Sequence, residues 1–475
     1  MVIIYLLGSV AIVVSLFFSR SKQFVYSLMA AFLAYQILFT VHACSHFGQT
    51  DSVYFTFDSL GILLLVTLSI IAIPAAIHSY IYIETHAEPP RSRSLYLASM
   101  ILLIMAISAG YLSNHIAVTW IFTEITTLSA SALIYHHRNK LALEGTWKYV
   151  FICAISITFI FIGILFLSLS LQHAGSDDLS FSNLLARSEE LNPIWLRMAF
   201  LFIFTGFTAK LGLVPMFTAG IDAKDTAPAP AGALMASVLM NLGFVGIFRF
   251  YIVIARTPLL HWAQLVVGAA AFLSLFVATV YMLKVKNIKR MFAYSGIEHM
   301  GIVMLGVAAG GIGYYAAILH IILHAFVKSS LFFQYNQLYR VFQSKSINHT
   351  GNYFKYNPTG AMVLLLGFIS SAAMPPSGLF VSEFLIFKSI FDARQIFLLI
   401  AVLLLLTMII WAFGKNIFKV LFVPAEDFDD SHVKPTSSWE SLSQFLLLGT
   451  AVYLGLNPPP IFVELLKESI TLLPH

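Results

Sequence analysis

The run LHIILHAFVKSS, residues 319–330, sets His320, His324 and Lys328 four residues apart among leucines, isoleucines and phenylalanines. Residues at i, i+4 and i+8 of an α-helix drift by only about 40° per step and climb about 12 Å in all. The three groups therefore form one stripe on one helix face. Histidine titrates near neutrality, and a lysine whose pKa is lowered hands its proton on. The stripe suits stepwise proton transfer. Further ionisable groups stand in equally apolar surroundings: Glu124 in WIFTEITTL, Lys210 in FTAKLGL, Glu298 and His299 in SGIEHMG, and Glu383 in SGLFVSEFLIF. A charge at a bilayer centre costs at least about 2.5–3.5 kcal/mol, so such groups need partners, water or a shifted pKa.

The same residue types admit other chemistry. A histidine pair at i, i+4 also suits a metal, but no carboxylate lies on that stretch. Lys328 and Lys388 stand near enough to span ends to snorkel, whereas Lys210, just before Pro215, sits mid-span. Glu124 and Lys210 are compatible with a static ion pair between two helices. A two-carboxylate hydrolase fits poorly, because Glu124 and Glu383 fall in different halves and no nucleophile motif accompanies them. Cys44 and Cys153 lack CxxC spacing, which excludes a self-contained iron–sulfur, haem-c or zinc-thiolate site; both read as buried thiols. No GxxxxGK[ST] run holds a nucleotide, and no basic stripe with interleaved aromatics suits nucleic acid.

The elements that carry these groups follow from composition. The chain has 475 residues, 59% hydrophobic and only 10% charged; soluble domains run near a quarter charged. The expected fold is an all-α polytopic membrane protein with about 14 transmembrane helices. Their expected limits are 2–19, 25–45, 58–84, 94–112, 115–137, 149–172, 195–220, 229–256, 261–283, 291–309, 314–340, 361–391, 396–423 and 440–458. The N-terminal run lacks a basic n-region and an A-x-A site, so it reads as a first span rather than a cleaved signal. Loops after odd spans carry most of the 27 Lys and Arg, Lys224 and Lys434 among them, whereas the other side holds Arg187, Arg197, Arg249, Arg256, Arg394 and Lys467. By the positive-inside rule the odd loops are cytoplasmic and both termini lie on the other side. Spans 7 and 12 are long and interrupted, by GFTAKLGLVPMFTAG and SSAAMPPSGLFVSEF. Proline kinks a helix, and paired broken spans five helices apart point to two inverted five-helix repeats. The expected division is 1–93 for helices 1–3, 94–256 and 257–423 for the two repeats, and 424–475 for a loop and helix 14.

Six runs together resemble the antiporter-like membrane subunits shared by respiratory complex I, multisubunit sodium/proton antiporters and group 4 membrane-bound hydrogenases, most of all the hydrogenase-4 component F type. They are HHRNKLALEGTWKYVFIC (136–153), AKLGLVP (209–215), APAPAGALMASVLMNLG (227–243), IKRMFAYSGIEHMGIV (288–303), LHAFVKSSLFF (323–333) and PPSGLFVSEFLI (375–386). The resemblance implies a proton path through Glu124, its partner Lys210, the group His320, His324 and Lys328, and a terminal Glu383. Glu298, His299, Asn241, Lys224 and Asp222 are accessory candidates. There are departures. Relatives of this kind write a His-x-Trp-Leu-Pro-Asp-Ala-His run after the span 7 break; here it is MFTAGIDAKDTAPAP (216–230), with Lys224 in place of the second His. Asn241 stands where some relatives have a central lysine, which opens a gap between Lys210 and His320. The tail after span 14 leaves no room for the lateral helix of one relative.

The resemblance implies a proton-translocating subunit of a membrane oxidoreductase in a bacterial or archaeal cytoplasmic membrane. It implies no cofactor in this chain, with iron–sulfur, nickel–iron or quinone sites in obligatory partner subunits. Two alternatives stay open: a cation (Na+)/proton antiporter subunit, and a proton-driven membrane subunit of an inorganic-carbon uptake complex. A scaffold that no longer pumps has no reason to keep buried charges.

Overall fold

The computed structural model describes residues 1–474 apart from 426–427, 429–432 and 434–435; Lys434, counted above among the basic loop residues, lies outside them. The chain runs as α1 (Val2–Phe18), α2 (Lys22–Ser45), a two-stranded antiparallel ribbon of β1 (Thr50–Asp51) and β2 (Phe55–Thr56), α3 (Ser59–Thr85), α4 (Pro90–Leu112), α5 (Ile116–Ile134) and α6 (Lys140–His173). It continues as α7 (Phe181–Ala186), α8 (Pro193–Leu211), α9 (Ala219–Thr226), α10 (Ala229–Ala236), α11 (Val238–Ala255), α12 (Leu260–Lys284), α13 (Ile288–Ala309) and α14 (Ile312–Phe342). The remaining helices are α15 (Tyr353–Tyr356), α16 (Pro358–Ser371), α17 (Gly378–Asp392), α18 (Ile396–Phe422), α19 (Leu442–Leu456) and α20 (Pro460–Glu468).

Helix starts are written in the sequence. Asp58, Asn139, Asn192, Asn287 and Ser377 each accept a backbone N–H of the first turn of α3, α6, α8, α13 and α17. These caps satisfy amide donors that have no intrahelical partner. Among the described residues eleven helices are long and apolar enough to cross a membrane, or twelve if α19 and α20, bent by 72°, count as one span. The expectation of about fourteen differs for physical reasons. At 17 residues α1 is short, and the expected span 361–391 is divided into α16 and α17 around residues 372–377. The expected span 195–220 divides similarly: α8 stops at Leu211, Gly212 caps it with φ 89°, and α9 resumes at Ala219. One interruption was not expected: Ser237 separates α10 from α11, and its hydroxyl donates to the Ala233 carbonyl at 2.7 Å.

The core is built around α13 and α14, whose most apolar stretches are wholly buried, while the corresponding stretch of α18 is only 28% buried. Phe397, Leu404 and Trp411 of α18 and Trp147, Phe151 and Leu165 of α6 face outward. In a bilayer such a face meets lipid or a neighbouring membrane protein. Helix α17 crosses α19 where Gly378 meets Gly455 and the Ala451 carbonyl; a Cβ on either glycine would collide with backbone.

Successive spans alternate, so loops gather on two rims. On one, Arg290 pairs with Asp222 (2.5 Å) and Asp225 (3.1 Å), Lys345 with Asp225 (3.3 Å) and Lys148 with Asp222 (3.4 Å). On the other, the Met1 amine pairs with Asp51 (2.6 Å), Arg249 with Asp58 (2.9 Å), and Ser469 donates to Ser59 (3.0 Å). Both ends of the described chain therefore share the second rim. Of the two cysteines expected to be buried, Cys153 is, but Cys44, in the last turn of α2, is exposed.

Candidate functional site

Lys210 lies in the last turn of α8, where the negative end of the helix dipole favours a cation. Its Nζ is buried and donates to Thr127 Oγ1 (2.8 Å) and Tyr149 OH (3.0 Å). The expected direct pair with Glu124 is not formed among the described residues. Thr127, one turn further along α5, receives the amine instead, and Glu124 Oε2 is left without a hydrogen-bond partner. The two charges still feel one another across this short gap.

The reading of Lys224 as a loop lysine is corrected. It is 3% exposed, with Nζ 3.1 Å from the Met240 sulfur and within 4.0 Å of where a Cβ on Gly296 would stand. The Gly212 turn and α9 carry it inward, to within electrostatic reach of His324 and Lys328. It thus enters the interval that Asn241 left open. Asn241 itself is fully buried, and neither its Oδ1 nor its Nδ2 finds a hydrogen-bond partner among the described residues. Asp222 is not in this interior; it belongs to the rim pairs of Arg290 and Lys148.

His320, His324 and Lys328 do share one face of α14, and all three are fully buried. Their connections, however, run across helices rather than along the stripe. Lys328 Nζ donates to Ser295 Oγ of α13 and to Ser371 Oγ of α16, the latter at 3.1 Å. Ser371 Oγ lies 3.1 Å from His299 Nε2, and His299 Nδ1 lies 3.1 Å from His320 Nε2. His320 Nδ1 lies 3.0 Å from Ser382 Oγ, which donates to the Leu379 carbonyl at 3.0 Å. One set of tautomers gives every group in this string a donor and an acceptor in the same direction. Glu383 Oε1 stands 3.8 Å from His299 Nδ1. His324 has neither ring nitrogen bonded, although its ring lies 5.0 Å from that of His299. Glu298, beside His299, keeps Oε2 without a partner.

Sequence reasoning missed Ser295 and Ser382 and gave Ser371 no link to Lys328 or His299. The one available signal was Ser370-Ser371 directly before the break at Pro375. It also missed Asp225, which gathers Arg290, Lys345 and the Nδ2 of Asn287 (3.1 Å) at the rim. Burial raises the Asp225 carboxyl, but Lys345, Lys289 and the Arg290 and Asn287 hydrogen bonds outweigh it, so the group sits below the usual carboxylate range. As to metals, His299, His320 and Glu383 are buried and present ligand atoms within 4.8 Å of one another.

An α-helical membrane protein with broken spans and buried lysines, histidines and glutamates on neighbouring helices is the architecture of an antiporter-like subunit. The family described as NADH:quinone oxidoreductase/Mrp antiporter, TM, matches residues 113–409, and the chain belongs to it. It is 28% identical over 433 residues to the hydrogenase-4 component F homolog of Methylacidiphilum infernorum, covering 88% of this chain and 89% of that one. Its fold is similar to a chain of the membrane-bound sulfane sulfur reductase, an archaeal respiratory membrane complex (TM-score 0.85, 19% identity, 98% and 96% of the two chains). It is also similar to a chain of the Mrp complex from Dietzia sp. DQ12-45-1b (TM-score 0.82, 15% identity, 98% and 95%).

Proposed function

We propose that this chain moves protons as a membrane subunit of a larger respiratory-type oxidoreductase, of the group 4 hydrogenase or complex I kind, with the redox centres in partner subunits. The observation that carries the reading is the buried string Lys328–Ser371–His299–His320, ending beside Glu383 at the break between α16 and α17. A purely structural core has no need of these four polar links between four helices, each costing desolvation. Names of similar proteins support the partner class: the relative is a hydrogenase component, and one structural neighbour is part of a respiratory membrane complex.

In this reading a redox event elsewhere shifts charge near Glu124. The Thr127 bridge lets Glu124 approach or leave Lys210, and an approaching carboxylate holds the proton on the amine while a departing one releases it. Lys224, with water held by Asn241, passes the proton to Lys328. Ser371, His299 and His320 relay it, and Glu383 delivers it to the far side. Such linked sites titrate as a set. The rim with Arg290, Lys345 and Lys148 is the cytoplasmic one by the positive-inside rule, which puts both ends of the chain on the other side. Repeats over 94–256 and 257–423 would each carry a broken span and a buried lysine and glutamate of the path: Lys210 and Glu124 in the first, Lys328 and Glu383 in the second.

The test is ion movement in inverted vesicles that hold the whole complex, with pH and sodium gradients recorded together. Lys210→Ala and Glu383→Gln are each expected to abolish acidification while the subunit stays assembled. Sodium movement in place of acidification would select the antiporter alternative. Unchanged transport in both variants would make the buried charges structural and sink the proposal.

A further inference from the structure

We infer that His299, His320 and Glu383 form a binding site for a divalent transition-metal ion of the Zn2+ kind, and that such an ion closes the proton string. Spacing along the chain hides this set, because each ligand comes from a different helix: α13, α14 and α17. The atoms that converge are His299 Nδ1, His320 Nε2 and Glu383 Oε1, with edges of 3.1 and 3.8 Å from His299. A tetrahedral ion with bonds near 2.0–2.1 Å wants ligand atoms about 3.4 Å apart. Both edges lie close to that. The third, at most 4.8 Å, closes by rotation of the glutamate stem.

The outer ring nitrogens make the case stronger. His299 Nε2 meets Ser371 Oγ at 3.1 Å and His320 Nδ1 meets Ser382 Oγ at 3.0 Å. A metal-bound histidine donates its other N–H to an oxygen in this way, which fixes the tautomer and aims the free lone pair at the ion. The fourth position is open to water or to His324, whose two nitrogens are bonded to nothing. Two imidazoles and one carboxylate favour zinc-like ions over sodium, magnesium or calcium, which prefer all-oxygen shells. A cavity of about 220 Å³ between α17 and α18, lined by Phe380, Phe384, Leu403 and Leu406, reaches Glu383 and leaves its side chain room to turn.

A bound ion takes up the lone pair through which His299 and His320 exchange a proton, so transport stops. That consequence rests on the proposed relay; binding itself does not. The experiment uses the whole complex in detergent, dialysed against micromolar free Zn2+, with metal counted per copy of this chain. The parent should retain one ion that His299→Gln and His320→Gln both lose. Ser382→Ala, which leaves all three ligands in place, should bind roughly 10–100-fold more weakly. Co2+ added to the unaltered parent should give the strong visible bands of a four-coordinate ion, bleached by Zn2+, a readout that requires no variant. Equal zinc in parent and ligand variants, with no such bands, overturns the site. Stoichiometric binding without loss of proton transport overturns the closure and the relay, and leaves the metal site standing.

Discussion

Ser371 is the joint of the buried string. It accepts a hydrogen bond from Lys328 and faces His299 Nε2 with the same oxygen, so one hydroxyl connects the lysine to both histidines. Ser371→Ala removes that link without adding bulk. Proton transport by the complex should fall by roughly 10²-fold, in line with the loss of one positioned proton-transfer group, and Ser371→Thr should restore most of it. Parent-like transport by the alanine variant would show that the string is not the path. The ionisable members were visible in the sequence because Lys328, His320 and Glu383 are costly in an apolar run. The serines were not. A serine in a membrane helix can satisfy its hydroxyl on its own helix carbonyls, as Ser129 does with Ile125 at 2.8 Å. Only the neighbouring helices tell Ser371 apart from it.

At the scale of elements, the breaks were legible and their consequences were not. Pro215 and the Pro375-Pro376 pair announced the interruptions of spans 7 and 12, since proline removes a helix donor. The change of course after Gly212, which turns Lys224 from a loop residue into an interior one, depends on α9 packing against α6 and α13, contacts that no local pattern encodes. The same short helix carries Asp225 in its last turn, and this carboxylate gathers basic groups from α13 and from the 343–352 loop. Its carboxyl is held below its ordinary value of about 3.9. A depressed folded-state pKa contributes stability above the unfolded value, and this is lost as pH falls through the folded one. Asp225→Asn should therefore lower the stability of the purified protein at neutral pH by roughly 1–3 kcal/mol, between the exposed and buried ion-pair ranges. Thermal melts should show the gap between parent and variant shrinking as pH falls below about 4 and closing once the folded-state carboxyl is itself protonated. A gap that is independent of pH would mean that the aspartate acts by packing alone.

For the whole molecule, the two-rim arrangement makes a sidedness prediction. In a background with Cys44 and Cys153 replaced by serine, Asp177→Cys should react with a membrane-impermeant maleimide on intact cells. Lys140→Cys should react only in inverted vesicles. The opposite labelling would reverse the assigned direction of the path. The prediction rests on charge bias in the loops, a signal that sequence alone supplies, whereas the number of spans was blurred wherever a helix was cut in two. The burial of α13 and α14 has a further consequence, best put in electrical terms. The two helices that carry His299, His320 and Lys328 are wholly buried along their most apolar stretches, and the apolar faces of their neighbours, α12 among them, form a sleeve around them. A conductor inside a thick insulator does not leak. Protons on His299, His320 and Lys328 have apolar side chains between them and the bilayer, and changes in lipid thickness or headgroup act on the sleeve before they reach the wire.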